Sequence, residues 1–278
     1  MRILLIVNAD DFGLAPEVNQ AVAQGFDRGL VRSASLLTGT EHAQDAAAIA
    51  AARPGLGVGV HLALTQVKPV LPPERIPGLA SGGAFPTGPR QLIGRLAAGR
   101  IPADEMRAEW TAQIEKALSL GVRVTHLDGH QHLHVLPGVA RIFREVAEKF
   151  GIRAMRLPRL GGPSRSPQEW LKALAIHGAQ RLTQPVLRGM KRPDRFWGLA
   201  CSGDLTRERI TAVFNALAPG THELMTHPAT EDMTTSRGYA WGYHWPTELA
   251  ALCDLEVLDL AKRRGIDLGN FGDLTANQ

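Results

Sequence analysis

Apolar residues in this 278-residue chain fall in short continuous runs, separated by stretches with one apolar face. Residues 3–8, Ile-Leu-Leu-Ile-Val-Asn, read as a strand buried on both faces of a parallel sheet. Pro16 suits the first turn of a helix whose apolar face carries Val18, Ala21, Val22 and Phe26. A second strand is expected over 35–37, an alanine-rich helix over 42–53 that stops before Pro54, and a third strand over 58–64. Residues 66–89 are rich in Pro and Gly and too long for a routine connection, so a functional flap is expected there. Helices follow at 90–98, 104–120 and 139–150, with a strand at 122–127. Later strands are expected at 154–157, 195–199, 224–226 and 266–268, and later helices within 158–195 and at 207–218 and 247–264. Strand and helix alternate without a repeat or a clear linker. That order predicts an α/β fold with a mostly parallel sheet and right-handed crossovers, in a single domain over 1–278. At this length a closed or partly closed (β/α) barrel is expected.

Composition fits a soluble globular chain, with 44% apolar and 21% charged residues, and no apolar run reaches the length of a membrane span. The run after Met1 is too short for a signal sequence and ends in Asn8-Ala9-Asp10-Asp11. Cys201 and Cys253 form no close pair, which excludes a disulfide framework and a cysteine zinc site and points to the cytoplasm. Net charge is +4, yet residues 156–195 alone hold nine Lys/Arg against Glu169 and Asp194. So local a basic character argues for a local partner rather than nucleic acid.

The candidate chemistry centres on Thr125-His126-Leu127-Asp128-Gly129-His130-Gln131-His132-Leu133-His134, which holds four of the ten histidines. Imidazole and carboxylate suit a divalent transition metal. The strand is expected to open at Gly129 and leave His130 at its end. Asp10 and Asp11 follow the first strand, His61 ends the third, and His227 follows a late one. A parallel barrel gathers strand C-terminal ends on one face, so these distant residues would share a pocket. Of two adjacent carboxylates, one can hold a metal while its neighbour faces the reacting water. Two histidines and one carboxylate leave coordination positions open, as in catalytic sites. Such an ion acidifies water and polarises a carbonyl, a carboxylate takes the water's proton, and an imidazole protonates the departing nitrogen. His227, before Pro228, is placed as that proton donor. His222 to His227 has the wrong spacing for HExxH, and Asp11-Phe12-Gly13 lacks the companions of a kinase motif.

The motifs Asn8-Ala9-Asp10-Asp11-Phe12-Gly13, His61-Leu62-x-Leu64-Thr65, Thr125-His126-Leu127-Asp128-x-His130-x-His132-x-His134 with Pro137, and His227-Pro228 resemble the YdjC-like carbohydrate deacetylases, the ChbG/HpnK family. The likeness runs over residues 3–272 and is weak between 158 and 220. It implies a distorted TIM-like barrel and removal of an N-acetyl group from an N-acetylglucosamine-type sugar. It also implies metal ligands Asp11, His61 and His130, Asp10 as general base and His227 as general acid. Many relatives carry His-Pro-Gly where this chain has His227-Pro228-Ala229, which concerns the local turn and not the histidine.

The expected cofactor is one divalent ion, Mg2+ or Zn2+, nitrogen ligands favouring zinc by softness. His132, His134, Trp241 and Tyr243 are candidate substrate contacts. The last two belong to an alternating run, Tyr239, Trp241, Tyr243 and Trp245, that could stack on a sugar or pack a homodimer. Residues 158–195, basic with an apolar face, are a candidate peripheral membrane contact. Members of the resembled family linked to hopanoid biosynthesis imply a lipid-linked acetylamino sugar as an alternative to a chito-oligosaccharide. Two other functions compete: a metal-dependent phosphoesterase, and a metal- or sugar-binding barrel without turnover.

Overall fold

The computed structural model of the chain describes residues 2–276. Seven strands pair in parallel: β1 (Ile3–Phe12), β2 (Ser33–Leu36), β3 (Gly57–Leu62), β4 (Val124–Gly129), β5 (Arg195–Trp197), β6 (Gly220–Thr226) and β7 (Ile266–Gly269). Their order is β4-β3-β2-β1-β6-β5, with β7 added on β1. On one side of β1, β7 pairs with Ile3 to Ile6 and β2 with Asn8 to Phe12. The sheet curls so that its ends approach: Leu127 of β4 bridges to Met155, and Ala154 bridges to Lys191, just before β5. The result is the expected distorted barrel.

Around it lie α1 (Pro16–Arg28), α2 (Ala43–Ala51), α3 (Pro89–Ala97), α4 (Ala103–Ser119), α5 (Val139–Lys149), α6 (Pro167–Thr183), α7 (Arg207–Ala216), α8 (Met233–Arg237), α9 (Trp245–Leu252) and α10 (Leu255–Arg263). Helix α5 shows why such segments are helical. Val139, Ile142, Phe143 and Val146 recur at helical spacing and are buried, with Phe143 edge-on to Trp110 of α4. Each such side chain contributes about 1.5–3 kcal/mol through burial.

Four expectations change. The fifth strand, over 154–157, is reduced to the two isolated bridges. The helix expected over 247–264 is two, because the Asp254 carboxylate caps α10 by accepting from the backbone N–H of Glu256 and Val257. The strand before His130 does not open at Gly129, which is extended and part of β4. A side-chain carbon at Gly129 would lie 2.7 Å from Nδ1 of His134, so glycine is needed there for space, not for a turn. Residues 66–89 are pinned rather than free. Glu109 accepts from the N–H groups of Val70 and Leu71, Glu105 from those of Gly78 and Leu79, and Ile76, Leu79 and Phe85 are buried.

Candidate active site

All of the candidate ligands meet at the C-terminal ends of the strands. Asp10 and Asp11 lie near the end of β1. In a regular strand, neighbouring side chains point to opposite faces. Here the pairing with β2 slips between Ala9 and Phe12, and Asp11 adopts a left-handed backbone with φ 62°. That kink turns both carboxylates into one buried cavity. His61 enters from β3 and His130 from the residue after β4. Gln131 and His132 are also left-handed, with φ 56° and 57°, as is Gln66 at φ 65°. These four are all of the non-glycine residues with positive φ among the described residues, and all cluster here. Backbone strain of this kind costs about 1–3 kcal/mol per residue and is held only where the surroundings enforce it.

Oδ1 of Asp11 is buried and has no hydrogen-bond partner. It lies 3.1 Å from Nδ1 of His130 and 3.5 Å from Nε2 of His61. Each imidazole has committed its other nitrogen. Nδ1 of His61 donates to Asp128 at 2.8 Å, and Nε2 of His130 donates to Gln66 Oε1 at 2.8 Å. These partners select the tautomers that aim a lone pair at Asp11 Oδ1, the outer-shell arrangement of a metal-binding histidine. The donor set therefore fits a divalent ion held by Asp11, His61 and His130, whose ligand atoms lie within 4.8 Å of one another. A second group, Asp10, His61 and Asp128, meets the same distance test. It fits less well, because both oxygens of Asp10 and both of Asp128 already accept hydrogen bonds or face Arg156.

Arg156 is the largest addition to the expected site. It is fully buried after the 154–155 bridges. Its Nη1 and Nη2 reach Asp10 at 2.6 and 2.5 Å, Nη1 lies 2.8 Å from Asp128, and Nε donates to Glu223 of β6 at 2.7 Å. A planar guanidinium matches a carboxylate in this two-point way, which fixes the orientation of Asp10. Asn8 Nδ2 donates to Asp10 and to Ser35, and Ser35 donates to Asp128. Arg156 thus does not belong to the exposed basic patch.

Burial opposes ionisation of Asp11, but His130, and then His61 and His227, hold its carboxyl below the ordinary carboxylate range. Burial alone would lower His61, yet Asp128 and Asp10 raise it to about 9. Without an ion the cavity holds a proton on His61, as expected of a pocket arranged for positive charge. Burial raises Glu223 to about 8 and Glu248 to about 7.

His227 follows β6, with Nε2 3.9 Å from Oδ2 of Asp10. Its backbone N–H donates to Glu248 of α9, and its ring lies 4.7 Å from that of Tyr243. Burial lowers its pKa, which makes its protonated form a stronger acid, although Asp10 and Asp11 oppose the shift. Trp241 lies 5.8 Å from His130. Tyr239, Trp241 and Tyr243 are half-buried along the rim, whereas Trp245 is fully buried and packs beneath them. His134 differs from expectation. His134 is enclosed against Phe143 and its Nε2 donates to the carbonyl of Arg156. His132 is 8% exposed and packs edge-on to Phe196. Both shape the wall behind the cavity, and His134 is shut off from a ligand. His126 is deeper still, stacked on Phe271.

The sequence model for YdjC-like protein matches residues 4–263. A carbohydrate deacetylase of Thermoanaerobacter pseudethanolicus is 30% identical over 97% of this chain and 98% of its own. A chitooligosaccharide deacetylase of Enterobacter sp. is 31% identical over 99% of this chain and 100% of its own. A crystal structure from Enterococcus faecalis, described as a cellobiose-phosphate cleavage protein, superposes with a TM-score of 0.77 at 27% identity over 99% of both chains. With that model matched over residues 4–263, the chain belongs to the YdjC-like family.

Proposed function

We propose that the protein is a metal-dependent deacetylase that hydrolyses the N-acetyl amide of an N-acetylglucosamine-type sugar. The carrying observation is the juxtaposition of a carboxylate outside the ligand set, Asp10, with the Asp11–His61–His130 group and with His227. A binding site has no need of the additional oriented carboxylate. The names of the relatives, carbohydrate deacetylase and chitooligosaccharide deacetylase, support the same reaction class.

Asp11, His61 and His130 would hold the ion, which when bound acidifies water and polarises the acyl carbonyl. Asp10, oriented by Arg156 and Asn8, accepts the proton of the attacking water. His227 gives a proton to the nitrogen as the acyl C–N bond breaks, so acetate and the amino sugar leave. Trp241 and Tyr243 offer aromatic faces to the sugar ring at the rim. A phosphoesterase gains less support, because the two candidate ligand groups share His61 and describe one site rather than a pair.

The test is acetate release from chitobiose, longer chito-oligomers, free N-acetylglucosamine and an N-acetylglucosaminyl lipid, with metal removed and restored. Metal-dependent release is expected from at least one. Asp10→Asn should lower turnover by about 10²–10⁴-fold with metal content unchanged. Full activity in that variant would remove Asp10 as the base, and silence across the panel at one bound metal would remove the deacetylase reading.

A further inference from the structure

Helix α6 carries an apolar surface that nothing in the chain covers. Of the eight exposed large hydrophobic side chains among the described residues, five lie between positions 170 and 186. These are Trp170, Leu171, Leu174, Leu182 and Val186, with Leu182 74% exposed. Leu171, Leu174, Gly178 and Leu182 recur at three- and four-residue spacing, so they form one stripe along the helix. The opposite side, with Ala173, Gln180 and Thr183, faces the protein. Exposed Lys172, Arg181 and Arg188 flank the stripe, and Glu169 is the single acid in the helix. A cleft of about 310 Å3 opens beside it, lined by Arg159, Arg181, Arg195, His177 and Gln180. No carboxylate lines that cleft.

We infer that this face docks on an anionic phospholipid bilayer, the stripe entering the headgroup boundary and the arginine cleft taking a headgroup phosphate. Charge decides the occupant. Two copies of the chain meeting through α6 would bring two strongly basic faces together, whereas an anionic surface complements the cations while the leucines leave water. No described helix is long and apolar enough to cross a membrane, so the contact lies in the plane of the interface. The placement has a consequence for the site. Thr183 of α6 donates to the carbonyl of Val135, in the turn that follows His130, and Phe196 of the cleft packs on His132. The helix that docks therefore also braces, through its inner side, the wall behind the cavity.

Sedimentation with vesicles reads this directly and needs no turnover, so its outcome is separable from the deacetylase reading. Neutral phosphatidylcholine vesicles are compared with vesicles containing phosphatidylglycerol, at low and high salt. Binding is expected only to the anionic vesicles at low salt. Leu171→Ser/Leu182→Ser, and separately Lys172→Glu/Arg181→Glu, should each lower the partition coefficient by about tenfold or more. Both pairs are exposed, so thermal melting and metal content should match the parent protein. Equal partition onto neutral and anionic vesicles, no binding to either, or undiminished binding by the variants would overturn the inference. So would light scattering that shows a dimer abolished by the leucine substitutions, which would assign the face to a second copy.

Discussion

Replacing Arg156 by alanine should damage both stability and turnover, and the manner of the damage is diagnostic. The guanidinium is fully buried and meets three carboxylates, those of Asp10, Asp128 and Glu223, at 2.5–2.8 Å. Removing one partner of a buried ion cluster leaves the rest uncompensated, at a cost of about 3–5 kcal/mol. For a chain of this size that is a fall in melting temperature of roughly 5–9 °C. The sign of the pH dependence follows from the same charges. Without Arg156 the native carboxyls hold protons more tightly than in the unfolded chain. The variant's native state then binds more protons than its unfolded state, and its stability falls as pH rises. Glu223 is already raised to about 8 by burial, so the deficit should be smaller near pH 6 than near pH 9. Turnover should drop by about 10²-fold, because Asp10 loses its orientation. Arg156→Lys should recover part of the stability but little of the turnover, since an ammonium cannot make the two-point contact. Differential scanning calorimetry across pH, with acetate release, measures both. An alanine variant that melts with the parent protein and retains turnover would refute the reasoning.

Three further outcomes are expected. His61 is held protonated up to about 9 in the metal-free protein, so metal binding must expel that proton: affinity should rise by about tenfold per pH unit up to that point, and equal calorimetric heats in buffers of different ionisation enthalpy would contradict it. Gln66→Leu frees Nε2 of His130, and chelator competition should show metal affinity lower by about 10–100-fold with no change in melting. Gly203 has φ +74°, and a side-chain carbon there would lie 1.9 Å from the Tyr243 ring. Gly203→Ala should therefore push Tyr243 off His227 and raise KM by about tenfold at unchanged metal content, and an unchanged KM would deny Tyr243 a part in holding the sugar.

The parts of the site that were legible in the sequence are those written as local contrast. Asp10-Asp11 breaks an apolar run, and His61 and His130 stand at strand ends, so alternation and parallel topology were enough to place them on one face. Arg156 and Glu223 were not legible. Arg156 stands among the cations of a basic segment, and only the bridges at Ala154 and Met155 show that it turns inwards to meet Asp10. Glu223 interrupts an apolar strand just as Asp10 does, a signal that was present but without a visible partner. The inward turn of His134 was not legible, because it depends on where the regular strand stops. The left-handed pair Gln131 and His132 ends that regularity, and a left-handed non-glycine residue leaves no mark in composition. The break in the helix expected over 247–264 was missed for a simpler reason: Asp254, which caps α10, was read as part of a continuous helix.

The concentration of left-handed residues at Asp11, Gln66, Gln131 and His132 bears on how this protein would respond to selection. Glycine adopts that backbone without penalty, so a screen rewarding heat tolerance alone should favour Gln131→Gly, whereas His132→Gly would empty the buried space against Phe196. Variants enriched in this way would survive heating better while losing the geometry that aims His130 at Asp11. Thermal selection and catalytic selection would thus pull Gln131 in opposite directions, and a library scored on both should separate there before anywhere else in the barrel.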